Sequence, residues 1–136
     1  MKLRGRIIYN GKAEGEALVT SQPISFLGGV DPSTGLVVER GHELHGQSVK
    51  GRVLVFPHGK GSTVGSYILY RLSKSGLAPS AIVNARCETI VAVGAIISEI
   101  PCVDMVDISK IKTGARLDVD GATVSTPDLL RHEQRS

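Results

Sequence analysis

The residues best placed to do chemistry are Phe56-Pro57-His58-Gly59-Lys60-Gly61-Ser62-Thr63-Val64-Gly65-Ser66. An apolar run, Val53-Leu54-Val55-Phe56, precedes the glycines, and a helical pattern, Tyr67-Ile68-Leu69-Tyr70-Arg71-Leu72, follows. A glycine-rich turn between a strand and a helix gathers backbone N–H groups at the positive end of the helix dipole. Such a turn suits an anion. It also suits a serine oxygen that must carry negative charge. A serine hydroxyl is a poor base at neutral pH, and its alkoxide needs N–H donors, a dipole or a nearby cation. Gly59, Lys60 and Gly61 supply these ingredients around Ser62. The plainer reading is a helix N-cap, with Ser62 or Thr63 accepting from the first turn.

Three better-known loops do not fit. A Walker A loop needs G-x-x-x-x-G-K-[ST]; Leu54 stands where its first glycine belongs, and Gly61 follows Lys60. A dinucleotide fingerprint needs G-x-G-x-x-G and an acidic residue about 20 positions on. Here Gly65 comes one place late and Pro79 occupies the acidic position. The nucleophile elbow, G-x-S-x-G, is absent from Lys60-Gly61-Ser62-Thr63-Val64.

The elements that must position this turn follow from local pattern. Leu3 to Ile8 reads as a strand, Asn10-Gly11 as a hairpin turn and Glu16-Ala17-Leu18-Val19 as the returning strand. A turn-rich loop runs from Gln22 through Asp31-Pro32 and Gly35 to a short strand, Leu36-Val37-Val38. The helix after Gly65 has its apolar stripe at Val64, Tyr67, Ile68 and Leu72, and Gly76 with Pro79 ends it. Ala81-Ile82-Val83 is a buried strand. Glu88 to Ile100 is a helix whose Ala92, Gly94 and Ala95 permit close packing, and Pro101 stops it. Cys102-Val103 is a strand, and Ala115–Val119 with Asp120-Gly121 and Ala122–Val124 forms a closing hairpin. The order predicts an α/β fold in three layers, β/β/α. Residues 1–136 read as a single domain, with about 126–136 a frayed tail.

Composition narrows the partners. Hydrophobic residues make up 41% of the 136 and charged residues 21%, as in a globular domain. A net charge of +3 is a mild excess, and 4% aromatics argue against a groove for single-stranded nucleic acid. Lys2, Arg4 and Arg6 alternate and are expected on one solvated strand face. Cys87 and Cys102 match no metal spacing and read as free thiols of a reducing compartment. The longest apolar stretch, Thr89 to Ile100, is too short for a membrane span, and Met1 to Arg6 lacks a signal peptide's apolar core. A cytoplasmic protein with no membrane partner is expected. His42 and His45 read as structural or exposed.

Gly59-Lys60-Gly61-Ser62-Thr63 before an apolar helix resembles the serine loop of the aconitase swivelling domain. Gly28-Gly29-Val30-Asp31-Pro32, Thr34-Gly35, His42-x-Leu44-x-Gly46, Phe56-Pro57 and Gly94-Ala95-Ile96-Ile97 before Ile100-Pro101 resemble, in that order, the small subunit of the aconitase X family. The resemblance runs from Gly5 to about Val124. It implies a swivelling β/β/α domain and a large catalytic subunit as partner, which carries a [4Fe–4S] cluster. It implies a hydro-lyase that dehydrates (R)-5-phosphomevalonate to trans-anhydromevalonate 5-phosphate, in the archaeal modified mevalonate pathway for isoprenoids. It makes Ser62 the proton acceptor. An open iron of the cluster would act as Lewis acid on the leaving hydroxyl.

The aconitase loop places an arginine after its serines. Val64 stands there in this sequence. Grip on a small phosphorylated hydroxy acid is therefore expected from Thr63, Lys60, the amides of Gly59 and Gly61, the partner, or Arg86 beyond the Ala81 strand. Two other functions suit the same fold. Swivelling domains carry phosphohistidine, and His58 adjoins the turn, but it precedes Gly59 at a strand end rather than at a helix start. A non-catalytic anion-binding module would use the same helix N-terminus.

Overall fold

In the computed structural model, which describes residues 1–126, the apolar runs of the chain's middle become parallel strands. These are β3 (Lys12–Val19), β4 (Val53–Phe56), β5 (Ala81–Asn84) and β6 (Cys102–Asp104), paired in that order. Their side chains alternate between two cores, as strands covered on both faces must. Leu18, Leu54, Phe56, Ile82 and Cys102 pack under Ile68, Leu69 and Leu72 of helix α2 (Gly65–Lys74) and Val91 and Ala95 of helix α3 (Thr89–Ser98). Ala17, Val53, Val55, Ala81, Val83 and Val103 face the other way. They meet Leu117 of β7 (Arg116–Asp120) and Val124 of β8 (Thr123–Ser125). Burying each large aliphatic side chain is worth about 1.5–3 kcal/mol. Three layers follow: helices, central sheet and a second small sheet.

The second sheet grows from the first. β7 pairs antiparallel with the first half of β3, from Lys12↔Asp120 to Glu16↔Arg116, and the second half of β3 pairs with β4. β8 and β1 (Lys2–Arg4) continue outward from β7. β2 (Arg6–Tyr9) closes the far edge against β6. The strand order is β1-β8-β7-β3-β4-β5-β6-β2. The closing hairpin, the helix stops and the close helix packing all match expectation. A Cβ at Gly94 would lie 2.6 Å from Leu69 Cδ1. Gly76 leaves α2 at φ +71°.

Five local expectations need correction. Leu3 to Ile8 is two strands, broken at Gly5, where a Cβ would collide with the Asp104 carbonyl. Lys2 and Arg4 therefore lie on β1, whereas Arg6 on β2 binds the Asp104 carboxylate at 2.9 and 2.8 Å. Asn10-Gly11 makes no hairpin, because β2 pairs with β6 while β3 pairs with β7 and β4. On α2, Ile68, Leu69 and Leu72 are buried, but Val64 and Tyr67 stay exposed. The Leu36–Val38 stretch makes only single bridges, Val30↔Val37 and Leu36↔Ser48, and one helical turn, α1 (Phe26–Gly29), interrupts the preceding loop. Thr126 is tied to Met1 by two hydrogen bonds. Beyond it, the expected tail lies outside the described residues.

Candidate active site

The turn from β4 to α2 is built between two supports. On one side, Ile24 N–H donates to the His58 carbonyl at 3.3 Å, and Lys60 N–H donates to the Ile24 carbonyl at 3.0 Å. Phe26 stands edge-on to Phe56 with ring centroids 6.0 Å apart, which pins this segment to the end of β4. On the other side, buried Asn84 donates through Nδ2 to the Phe56 carbonyl at 3.0 Å. Arg86 N–H donates to the Pro57 carbonyl at 3.0 Å. Gly59 is buried there, and a Cβ on it would lie 2.5 Å from Glu88 Oε1 and 2.6 Å from Val91 Cγ2. Gly61 turns the chain at φ +89°, where a Cβ would also meet Ser25 Oγ at 2.5 Å. These two glycines are required, one for close approach and one for its backbone angle.

Ser62 and Thr63 emerge from this clamp exposed. Val64 N–H donates to Ser62 Oγ at 3.2 Å, so the first backbone donor of the helix region already points at the serine oxygen. Gly65 N–H and Ser66 N–H return to the carbonyls of Ser62 and Thr63 at 2.9 and 3.2 Å. Among the described residues, the N–H groups of Gly61, Ser62 and Thr63 donate to no protein acceptor. The first turn of α2 holds no acidic residue, and its cap residue is Val64. Ser62 is thus a partial cap, as the plainer reading has it, on a terminus still open to negative charge.

The remaining site residues lie nearby to different degrees. Lys60 Nζ sits 3.5 Å from Glu39 Oε2, with both side chains partly exposed. The backbone of Arg86 is fixed to the start of the turn, and its exposed side chain forms no ion pair with a described residue. Asp31 and Thr34 are used by their own turn: Asp31 Oδ1 accepts from Ser33 N–H and Thr34 Oγ1 from Leu36 N–H. His42 is buried; Leu44 N–H donates to its Nδ1, and Nε2 lies 3.1 Å from the Pro23 carbonyl. His58 is exposed and its Nδ1 is bonded to the Gly59 carbonyl at 2.8 Å, at the strand end where the sequence places it. Ser25, Glu39 and Glu88 were not singled out by sequence. Only Glu88 carried a local signal, as the start of the second helix.

A cleft of about 470 Å³ opens at the carboxyl ends of β3, β4 and β5. Val19, Pro57, Ala85, Ile108 and Ile111 line it, with the hydroxyls of Thr20, Ser21 and Ser109. Glu43, whose carboxylate accepts from Thr20 Oγ1 and from Ser21 N–H, fixes its rim and is held below the usual carboxylate range by those bonds. Ser62 lies outside this cleft, on open surface. The neighbouring Cys87 thiol, and after it burial, push the Cys102 thiol above its ordinary range. Two thiols do not make the ligand set of a [4Fe–4S] cluster, so the residues of this chain do not fit one.

Helices, a central sheet and a second small sheet, with a glycine turn at the carboxyl edge of the central strands, make the three-layer architecture expected of a swivelling domain. The family described as aconitase X swivel domain matches residues 2–126, and the chain belongs to that family. The phosphomevalonate dehydratase small subunit of Thermococcus kodakarensis is 60% identical over 120 residues, which span 88% of this chain and 90% of that one. The protein of the same description from Methanosarcina acetivorans is 61% identical over 125 residues, 90% of this chain and 87% of that one. The crystal structure of Thermococcus kodakaraensis aconitase X in its holo form superposes with a TM-score of 0.91 at 56% identity, covering 93% of this chain and 98% of that chain.

Proposed function

We propose that this chain is the small subunit of a phosphomevalonate dehydratase, and that residues 1–136 act as one swivelling domain. It would bring Ser62 to a site completed by a larger subunit. The observation that carries the role is the open helix terminus: an exposed serine oxygen with one N–H already on it and three unclaimed N–H groups beside it. The relatives' names support a phosphomevalonate as substrate, and the resemblance to the aconitase X family implies its (R)-5 form. The resemblance assigns the [4Fe–4S] cluster to the larger subunit, where it would polarise the departing hydroxyl.

This chain's own part is proton handling and positioning. The proton to be removed lies next to a carboxylate and is weakly acidic. Ser62 accepts it as the alkoxide. The Val64 N–H and the α2 dipole favour that charge before transfer. The N–H groups of Gly61, Ser62 and Thr63, the Thr63 hydroxyl, Lys60 and the Gly59 backbone are the groups available for phosphate or carboxylate, with Arg86 at the side. The turn's clamps keep these groups from relaxing onto one another, which is what preorganisation requires. A cytoplasmic location accords with the two free thiols.

The test is dehydration of (R)-5-phosphomevalonate by the chain reconstituted anaerobically with its cognate large subunit. Product formed only when both subunits are present supports the reading. A correctly assembled, cluster-loaded complex that leaves this substrate untouched overturns it and directs the search to other hydroxy acids.

A further inference from the structure

Helix α3 is apolar on every side. None of its ten residues carries a charge. Val91, Gly94 and Ala95 are buried, yet Val93, Ile96 and Ile97 on the outer side are 43–48% exposed. A helix hydrophobic all round is normally covered all round. Scattered exposed aliphatics need no explanation, but a contiguous set marks an interaction surface.

The face continues onto α2. Ser66 Oγ donates to the Ile90 carbonyl at 2.6 Å, and Ser73 Oγ to the Ser98 carbonyl at 3.3 Å, so the helices run side by side in the same direction. Tyr67, 56% exposed, extends the surface along α2, with half-buried Tyr70 beside it at 6.3 Å between ring centroids and Lys74 Nζ 5.3 Å over the Tyr70 ring. Exposed Val64 carries it to within two residues of Ser62. Ser66 against Ile90 puts this end of α2 at the same end of the pair as the start of α3. On the opposite layer the outermost strand, β1, presents Lys2 and Arg4 instead.

We infer that the face running from Val64 and Tyr67 to Val93 and Ile97 is the seat of the larger subunit. The surface that binds the two chains together is then continuous with the turn that carries Ser62. This rests on the proposed function, which requires a second chain over Ser62. Continuity also selects the occupant. Whatever covers this face reaches over the serine turn, and a second copy would bring only another serine turn rather than the missing half of a site. With no charge on α3, recognition there is by apolar shape, so the partner must present a matching apolar face.

The experiment separates docking from chemistry. The double variant Val93→Lys/Ile97→Glu, with unchanged helical circular dichroism and melting, is titrated against the cognate large subunit beside wild type and Ser62→Ala. The expected result is a Kd at least about 100-fold weaker for the double variant, with turnover recovered as the large subunit is raised. Ser62→Ala is expected to bind with wild-type Kd. Should the double variant not fold, Val93→Ala/Ile97→Ala serves instead, with about tenfold weaker binding expected and Lys2→Glu on the far layer as a control of wild-type affinity. Wild-type affinity in the folded α3 variants overturns the inference. So does a dimer of the isolated chain that the variants dissolve while binding to the large subunit is unchanged. If Ser62→Ala proves active while the α3 variants still weaken assembly, the base assignment fails and the docking surface stands.

Discussion

Two neighbouring turns lead from parallel strands into helices at the same edge of the sheet, and they are finished in opposite ways. After β5, Glu88 caps α3 with both carboxylate oxygens, accepting from Ile90 N–H and Val91 N–H at 2.8 Å each. Cys87 N–H goes to the fully buried Asp104 carboxylate at 2.8 Å, and Arg86 N–H goes to Pro57. After β4, the cap position is Val64, and the N–H groups of Gly61, Ser62 and Thr63 meet no acceptor among the described residues. One helix terminus is neutralised by the chain's own carboxylate. The other, with no acidic residue in its first turn, is left open to a negative charge. Closed termini stabilise a fold, whereas an open terminus held rigid is a place for chemistry.

The largest expected effect tests the open turn. Ser62→Ala in the assembled complex should lower kcat by about 10²–10⁴-fold, the range for losing a positioned proton acceptor. It should leave the melting temperature nearly unchanged, since Ser62 Oγ accepts a single exposed bond. Activity and melting measured on the same preparation check both halves. Near-wild-type turnover would reduce Ser62 to a helix cap and erase the contrast between the turns.

Next comes the junction between them. Gly59→Ala places a methyl group 2.5 Å from Glu88 Oε1 and 2.6 Å from Val91 Cγ2. Overpacking of this kind costs about 1–3 kcal/mol. The turn must shift to accommodate it, so kcat should fall as well as stability. Combining Gly59→Ala with Glu88→Ala removes one of the colliding groups, and chemical denaturation should show the pair costing less than the sum of the two. Strict additivity would mean that the turns are independent.

The closed turn has the converse signature. Glu88→Ala removes the α3 cap and should cost about 0.5–2 kcal/mol of stability. Turnover of the complex at low temperature should change far less than with Ser62→Ala. A melting curve unchanged from wild type would show that the carboxylate is not what finishes this helix.

Much of this was legible in the sequence, for reasons of range. The glycine turn that holds Ser62, both helix stops and the closing hairpin are written in contiguous residues, so local rules find them, whereas a role for Ser62 came only from the family resemblance. Asn10-Gly11 was misleading because a turn signal proposes a hairpin but strand competition disposes of it: β6 and β7 are the better partners of β2 and β3. The break at Gly5 depends on the Asp104 carbonyl, 99 residues away, and no local pattern announces it. Ser25 and Glu39 reach the turn from an irregular segment whose path is fixed by tertiary packing rather than period. The stripe on α2 was right at Ile68 and Leu72 and wrong at Val64 and Tyr67. Periodicity marks an apolar face without saying whether this chain or another covers it.

The smallest effect concerns Lys60. Its ammonium is 3.5 Å from the Glu39 carboxylate and about half exposed, so the pair is worth at most about 1 kcal/mol and its loss should barely move stability. For an arriving phosphate or carboxylate, however, Glu39 is a competitor for that charge. Lys60→Ala should raise KM by about tenfold or less with little change in kcat, the pattern of lost uniform binding. Glu39→Gln should do the reverse, lowering KM by freeing the ammonium. Salt should shrink both differences, because exposed charges are screened within about 10 Å at ~0.1 M ionic strength. If steady-state kinetics shows neither shift, the anion is gripped without Lys60. The open N–H groups of Gly61, Ser62 and Thr63, or the partner subunit, then carry it, which would draw the difference between the two turns still more sharply.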